Sequence, residues 1–200
     1  MIIIGVKGEM TQTYKGEKVY PITRVDVTNN VIARIRKQAD GQFVVTVGKG
    51  VKKNVGKQLA GMYKKLGYSP KYTRDVLVNK RELEGMGEAD VVDVDDVLKN
   101  ITEVVVQGVS KGKGFSGVVK RWGMKGGSRT RGQGITQRHQ GSIGSQTPGR
   151  VWKGKRMAGR MGGNMCYQKN VQVIECKNGS LSLKGGLPGH KGTVLYITIR

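Results

Sequence analysis

Short runs of β-branched and other apolar residues alternate with turn residues over the first fifty positions. Three such runs are Ile2–Val6, Val19–Val27 and Val31–Arg36. The dipeptide Asp40-Gly41 then leads into a fourth run at Gln42–Val47, a pattern typical of a tight hairpin. The N-terminal quarter of the chain is therefore predicted to consist of β-strands.

The apolar spacing changes to that of an amphipathic helix between Asn54 and Leu66. The apolar residues of this segment fall on one helical face: Val55, Leu59, Met62, Tyr63 and Leu66. We expect Asn54 to cap the start of the helix and Gly67 to cap its end. The lysines of the opposite face are expected to form a solvated surface, with direct RNA contact as the alternative: Lys57, Lys64 and Lys65.

Further strand-like runs lie on both sides of a long basic stretch. The runs predicted to be strands are Arg74–Val78, Val91–Val94, Ile101–Val109, Val171–Cys176, Ser180–Lys184 and Thr193–Ile199. A helical turn is expected to open at Asp95-Asp96, and the chain is expected to reverse at Lys177-Asn178-Gly179. Because apolar strands frame the basic stretch, its two ends are predicted to be neighbouring strands of one sheet, with a long protruding segment between them.

The basic stretch contains no acidic residue. From Val104 to Ile174 the chain has fourteen Lys or Arg and sixteen of its 32 glycines, but neither Asp nor Glu. Such a segment cannot collapse on itself, because its cations repel one another and it has little apolar surface to bury. We therefore expect it to become ordered only around a polyanion.

The overall composition favours nucleic acid as the partner. The net charge is +22, and an anionic membrane surface is the second choice. No apolar run approaches the length of a spanning helix and no signal peptide is evident, so a cytoplasmic protein is the default expectation. Cys166 and Cys176 are predicted to be buried structural thiols. Zinc or redox chemistry is the alternative, although the only histidines are His139 and His190.

Two glycine-rich motifs match nucleotide-binding signatures without the context that their chemistry requires. Residues 112–117 match G-x-G-x-x-G, but no suitable helix is expected after them and no acidic residue follows about 20 positions later. Residues 149–155 begin like a P-loop, but Arg156 stands where Ser or Thr should hold magnesium. The carboxylates between Glu82 and Asp96 have no liganding pattern. We predict no catalytic residue, no metal site and no cofactor.

The composition of the stretch does support contact along an RNA backbone. Glycines let the main chain approach phosphates closely, and aromatic rings stack on unpaired bases. The predicted RNA-binding residues are Lys111, Lys113, Lys120, Arg121, Trp122, Lys125, Arg129, Arg131, Arg138, His139, Arg150, Trp152, Lys153, Lys155, Arg156 and Arg160. Ordinary packing is the alternative for both tryptophans.

Several segments carry a resemblance to a known family. The most specific are SKGKGFSGVVKRWGMK at 110–125 and RHQGSIGSQTPGRVWKGKRMAGRMGG at 138–163. Looser matches are GVKGEMTQ at 5–12, VYPITRVDV at 19–27 and KGGLPGHKGTVLYI at 184–197. Together they resemble the bacterial form of the ribosomal protein L-three family over essentially the whole chain. Between Gly144 and Thr147 the chain is one residue shorter than the common bacterial form.

The resemblance implies a fold and a function. The fold would be mainly β: a six-stranded Greek-key barrel of the elongation-factor type with a small helical insertion and a long basic extended loop. The protein would be a structural constituent of the large ribosomal subunit that binds 23S-class rRNA and acts early in assembly. Its loop would reach toward the peptidyl transferase centre. The L-fourteen and L-nineteen families would be its neighbours, and a glutamine methyltransferase would modify Gln146 to N5-methylglutamine.

These expectations divide the chain into a barrel domain and an rRNA-penetrating loop. The barrel would comprise 1–107 and 166–200 with the helical insertion at about 51–85, and the loop would comprise 108–165. Two other functions remain as alternatives: a nucleotide-using or RNA-modifying enzyme, and a free-standing nucleic-acid chaperone or nucleoid protein. The enzyme would bind nucleotides, whereas the chaperone would bind DNA as tightly as rRNA.

Overall fold

The computed structural model describes residues 1–38, 40–78, 87–98, 101–130, 132 and 134–199. The chain divides into two units. We call Met1–Val109 with Met165–Arg200 the barrel unit, and Ser110–Asn164 the basic unit. The basic unit lies within the stretch that has no acidic residue.

The described residues form eleven strands, most of them in the barrel unit. In chain order they are β1 Ile2–Lys15, β2 Lys18–Asp26, β3 Asn30–Lys37, β4 Phe43–Val51, β5 Pro70–Val78, β6 Glu103–Val109, β7 Phe115–Ser116, β8 Gly159–Arg160, β9 Met165–Lys177, β10 Ser180–Lys184 and β11 Val194–Ile199. Six of them pair in a closed barrel in the order β1-β11-β6-β9-β10-β2. β3, β4 and β5 form a separate antiparallel sheet, and β7 pairs with β8. The predicted mainly β class is confirmed.

The helices within the described residues are few and short. They are α1 Lys57–Met62, α2 Val94–Leu98 and α3 Val118–Trp122, with 3₁₀ turns at Lys64–Leu66 and Thr136–Arg138. None of the helices in the described part of the chain has the length and hydropathy needed to span a bilayer.

Two apolar cores lie on opposite sides of β1. Ile3 points into the barrel, where it packs with residues such as Leu183 and Ile197, all fully buried. Ile4 points the other way and packs with Ile32 and the three-stranded sheet. Because successive side chains of a strand point to opposite faces, two adjacent buried isoleucines place β1 between the two cores. This arrangement explains why the first residues of β1 are apolar without alternation.

The predicted turns of the barrel unit are confirmed. Gly41 has a φ of +77°, and the amide of Gln38 donates to the carbonyl of Gln42 at 2.8 Å, which closes the hairpin between β3 and β4. Asn178 and Gly179 have φ values of +51° and +70° between β9 and β10. Asparagine and glycine are the residues that tolerate this left-handed conformation, so the sequence signal had a direct physical basis.

The predicted cap is wrong at the start of the first helix, and Gly67 caps the 3₁₀ turn that follows the helix rather than the helix itself. The helix begins at Lys57, and its N-cap is Gly56 in an extended conformation rather than Asn54. The amide of Lys52 donates to Ser69 at 2.9 Å, which holds the preceding chain beside β5. The segment ends at Gly67 with a left-handed φ of +77°, as expected.

The strand predicted at Val91–Val94 is also wrong. Val91 makes a single bridge to Val31, and α2 begins at Val94. Oδ1 of Asp93 accepts a hydrogen bond of 3.1 Å from the amide of Asp95, so a side-chain cap converts the apolar run into a helix start. The expected helical turn at Asp95-Asp96 is confirmed, whereas Glu82 and Glu84 of the acidic patch lie outside the described residues.

Candidate RNA interface

The two ends of the basic unit pair side by side. We call residues 110–116 the first limb and residues 157–164 the returning limb. The amide of Ser110 donates to the carbonyl of Asn164 at 2.9 Å, and the amide of Lys113 donates to Met161 at the same distance. The amide of Met161 returns a 2.9 Å bond to Gly114, and the pairing continues as β7 and β8. These backbone hydrogen bonds hold the two limbs together, because the limbs have too few apolar side chains to pack against each other.

A short helix follows the first limb, where the sequence indicated none. Gly117 is its extended N-cap, and Gly123 ends it with a left-handed φ of +68°. Glycines at both ends supply the conformations that start and stop this single turn, which the sequence analysis did not predict. Five residues are too few for the dinucleotide-binding helix, and the required acidic residue is still absent from the sequence.

Arg121 and Trp122 connect the helix to the returning limb. Nη1 of Arg121 and Nε1 of Trp122 each donate a 2.8 Å hydrogen bond to the carbonyl of Met157. Nε2 of Gln140 donates to the carbonyl of Arg156, also at 2.8 Å. Sequence reasoning missed Met157 and Gln140, because bonds between a side chain and a carbonyl 16 to 36 residues away leave no pattern in the sequence.

Two glycines allow the chain segments of this unit to come into direct contact. A Cβ on Gly126 would overlap the carbonyl oxygen of Gln137, and a Cβ on Gly162 would overlap that of Lys111. Both glycines also have a positive φ, +72° and +71°, which side chains disfavour. Part of the glycine content therefore serves packing within the unit rather than contact with a ligand.

The predicted RNA-binding residues that the structure describes are exposed, with Arg121 half-buried. Arg131 lies outside the described residues. The remaining predicted cations and rings are Lys111, Lys113, Lys120, Trp122, Lys125, Arg129, Arg138, His139, Arg150, Trp152, Lys153, Lys155, Arg156 and Arg160. The basic unit contains no carboxylate side chain, so the charge of its cations is not neutralised within it.

Two arginine–tryptophan stacks bring some of these residues together. The guanidinium groups of Arg121 and Arg156 lie 5.0 and 5.8 Å from the ring centroid of Trp122. Arg150 lies 5.2 Å from the ring of Trp152, whose side chain is 60% exposed. Cation–π contacts fix both the ring and the charge, so each stack presents an aromatic face beside a cation. The other predicted residues are distributed along the unit.

Residues 141–150 of the basic unit are all exposed. Gln146, the predicted methylation site, lies in a turn with Thr147 and Pro148 and is accessible. Two apolar side chains that sequence reasoning did not single out are also strongly exposed, Phe115 at 81% and Ile135 at 89%. The sequence did not indicate that Phe115 and Ile135 are exposed, because single apolar residues are usually taken to pack locally.

The two cysteines differ in environment, and no disulfide joins them. Cys166 is exposed, so the prediction that it is buried is wrong. It lies on β9 of the barrel, and its side chain faces outward. Cys176 is half-buried and donates a 3.0 Å hydrogen bond to Oδ1 of Asp95. Burial, together with the nearby carboxylate of Asp95, raises the pKa of Cys176 to about 12. Among the described residues, no three His, Cys, Asp or Glu side chains cluster as a metal site.

Lys65 of the helical insertion has a protein partner. Nζ of Lys65 lies 2.5 Å from Oε2 of Glu88, and this hydrogen bond lowers the pKa of the Glu88 carboxyl. Lys65 is largely exposed, which agrees with a solvated basic face. The alternative, direct RNA contact by Lys57, Lys64 and Lys65, stays untested.

Comparisons with known proteins point to one family. The family model described as Ribosomal protein L3 matches residues 45–187. Large ribosomal subunit protein uL3 of Herpetosiphon aurantiacus is 39% identical over 204 residues, which cover 98% of this chain and 94% of the relative. The protein of the same name from Bifidobacterium longum strain NCC 2705 is 37% identical over 202 residues, with the same coverage. That of Dehalococcoides mccartyi strain CBDB1 is 37% identical over 200 residues, covering 98% and 96%.

Proposed function

Because the chain belongs to the ribosomal protein L3 family, we propose that it is a component of the large ribosomal subunit that binds 23S-class rRNA. The family is structural rather than enzymatic, so the alternative of a nucleotide-using enzyme is contradicted. The observation that carries the proposal is the basic unit, whose exposed cations have no carboxylate among them.

The chemistry of the basic unit suits a folded RNA. Each Lys or Arg that neutralises a phosphate releases counterions, which drives binding without reading sequence. The exposed ring of Trp152 next to Arg150 suits an unpaired base, since every base offers a π-face and the cation favours the adjoining phosphate. Together these features support recognition of shape and single-stranded segments rather than of duplex DNA.

The barrel is proposed to be of the Greek-key, elongation-factor type. Among the barrel strands, β6, β9, β10 and β11 are consecutive in the chain. In space β6, β9 and β10 are neighbours in that order, and β11 lies on the other side of β6. This spatial order of fourth, first, second, third supports the proposal, because a Greek key has the same order. We also propose that 1–107 with 166–200 forms the external domain, including the helical insertion at about 51–85, and that 108–165 penetrates rRNA.

The finer roles follow from the family rather than from contacts in the molecule. We propose that the basic unit extends within rRNA toward the peptidyl transferase centre, and that binding nucleates early assembly of the subunit in the cytoplasm. The L-fourteen and L-nineteen families are the proposed protein neighbours. The exposed position of Gln146 is compatible with access by a glutamine methyltransferase.

Crosslinking on sedimented large subunits tests the proposal. Ultraviolet crosslinking followed by mass spectrometry should recover peptides from 134–160 joined to specific helices of 23S-class rRNA. A protein that is absent from the sedimented subunits would contradict the proposed function. A chain that binds duplex DNA as tightly as rRNA at one salt concentration would instead favour the nucleoid-protein alternative.

A further inference from the structure

One exposed tyrosine of the barrel unit is held in place by a buried side chain. Tyr167 lies on β9 opposite Gln107 of β6, and its side chain is 66% exposed. Nε2 of Gln107 donates a 2.9 Å hydrogen bond to the phenolic oxygen of Tyr167, and Gln107 itself is only 7% exposed. An exposed tyrosine ordinarily samples several rotamers, but this bond directs its ring across the neighbouring strand.

The hydrogen bonds of Gln107 determine whether the hydroxyl of Tyr167 acts as a donor or as an acceptor. Nη2 of Arg74 donates to Oε1 of Gln107 at 3.4 Å, and a guanidinium has donors only, so this end of the amide must be the oxygen. The other end is then the NH₂ group, and the oxygen of Tyr167 is the acceptor of its bond. The phenolic O–H of Tyr167 therefore remains able to donate to a ligand.

The surroundings of the ring are apolar and cationic. Val109 and Met165 are paired across β6 and β9, two residues from Gln107 and Tyr167 on the same face, and are 41% and 43% exposed. Arg74 is held by its stacking on Tyr196, with 5.1 Å to the ring centroid. The ring of Tyr167 is thus exposed and has two apolar side chains beside it. The amide of Gln107 connects its hydroxyl to the guanidinium of Arg74.

We propose that Tyr167 stacks on an unpaired RNA nucleotide, to which its hydroxyl donates a hydrogen bond. The acceptor would be a phosphate oxygen, a 2′-hydroxyl or a base carbonyl. The inference rests on the proposed function and adds to it a contact made by the barrel unit, outside the basic unit. A fixed aromatic face, a free donor and a nearby cation match a nucleotide, which presents a π-face, acceptors and negative charge together.

Affinity measurements with the full chain and a 23S-class rRNA transcript test this inference. Tyr167→Leu removes the ring and should weaken binding about five- to 150-fold, the range found for loss of one stacked base. Tyr167→Phe keeps the ring and should lose about two- to tenfold, the effect of one hydrogen bond. The matched control is Tyr14→Leu, which removes a tyrosine that is 73% exposed on β1 and should leave the affinity unchanged.

The salt dependence separates stacking from loss of charge or fold. Tyr167→Leu removes no cation, so the slope of log affinity against log salt should equal that of the unaltered chain. Wild-type affinity from Tyr167→Leu, or an equal loss from Tyr14→Leu, would overturn the inference. If Tyr167→Leu fails to fold, Tyr167→Phe still carries the test, and wild-type affinity from that variant would overturn the role of the hydroxyl.

Ultraviolet crosslinking of assembled large subunits provides an independent readout. A Tyr167–nucleotide adduct is the expected product, whereas a crosslink from Tyr167 to a neighbouring protein would overturn the inference. The two proposals fail in different ways. If the unaltered chain does not bind rRNA, the proposed function fails, but if it binds and Tyr167 has no influence, only this inference fails.

Discussion

The indole N–H of Trp122 donates a 2.8 Å hydrogen bond to the backbone carbonyl of Met157. This bond joins the end of α3 to the returning limb of the basic unit, and Arg121 donates to the same carbonyl. Trp122 is also flanked by the guanidinium groups of Arg121 and Arg156. Trp122 therefore has a structural role that Trp152, with its more exposed ring, does not share.

We expect Trp122→Phe to loosen the paired limbs while keeping an aromatic ring. Loss of one hydrogen bond should speed exchange of the Lys113 and Met161 amides about two- to tenfold, because these amides bond across the limbs. Native-state hydrogen exchange of the rRNA-bound chain, measured by mass spectrometry, checks this. Trp152→Phe is the control and should leave both amides unchanged; unchanged exchange in Trp122→Phe would show that the indole bond does not hold the limbs.

Trp152→Ala should weaken rRNA binding by about five- to 150-fold, because a stacked base would lose its platform. The control is Lys64→Ala in the helical insertion, which removes an exposed charge and should weaken binding far less. Filter binding at a single salt concentration compares the two variants directly. Equal and negligible effects would favour ordinary packing for Trp152.

Asn30 substitutes for a missing neighbouring strand beside Ile4. Its Oδ1 accepts from the Ile4 amide at 2.9 Å, and its Nδ2 donates to the carbonyls of Ile4 and Val27 at 3.0 and 2.7 Å. Asn30→Leu would leave these buried backbone groups without their partner, so we expect the free energy of unfolding to fall by at least about 2 kcal/mol. Urea denaturation measures this. The exposed control Gln12→Leu should change it by less than about 0.5 kcal/mol; equal effects would contradict the role of Asn30.

The two cysteines should differ in reactivity. Because the pKa of Cys176 is raised to about 12, its thiol stays protonated at pH 8 and forms little of the reactive thiolate. Cys166 is exposed. Iodoacetamide at pH 8 should therefore alkylate Cys166 well before Cys176, as peptide mass spectrometry would show. In urea the two rates should converge, and faster labelling of Cys176 in the folded protein would contradict the assigned environment.

Strands bounded by strong turn signals were predictable from the sequence. β10 was predicted at its observed bounds, Ser180–Lys184, because Asn178 and Gly179 define the turn before it. β1 was predicted to stop at Val6 because the residues that follow are mostly polar. It continues to Lys15 because those residues pair with β2. A local pattern cannot report a pairing of that kind.

The chemistry of the candidate site was only partly accessible from sequence. The excess of cations and the two tryptophans were evident, because composition and charge need no fold. The partners of those side chains were not evident: the Met157 carbonyl that orients Trp122, and the Gln107 amide that orients Tyr167, are set by tertiary structure. Sequence reasoning therefore located the basic unit but could not distinguish Trp122, which bonds to the Met157 carbonyl, from the more exposed Trp152.

The most direct test of electrostatic rRNA binding by the basic unit is a salt titration of two proteins. One is the unaltered chain, and the other has five exposed cations replaced by glutamine: Lys111, Arg129, Arg138, Lys153 and Lys155. Log affinity for 23S-class rRNA should fall linearly with log salt, and the slope should be shallower in the variant by about 0.7 to 0.9 for each phosphate that the variant no longer neutralises. Equal slopes in the two proteins, or a slope near zero in the unaltered chain, would contradict the account.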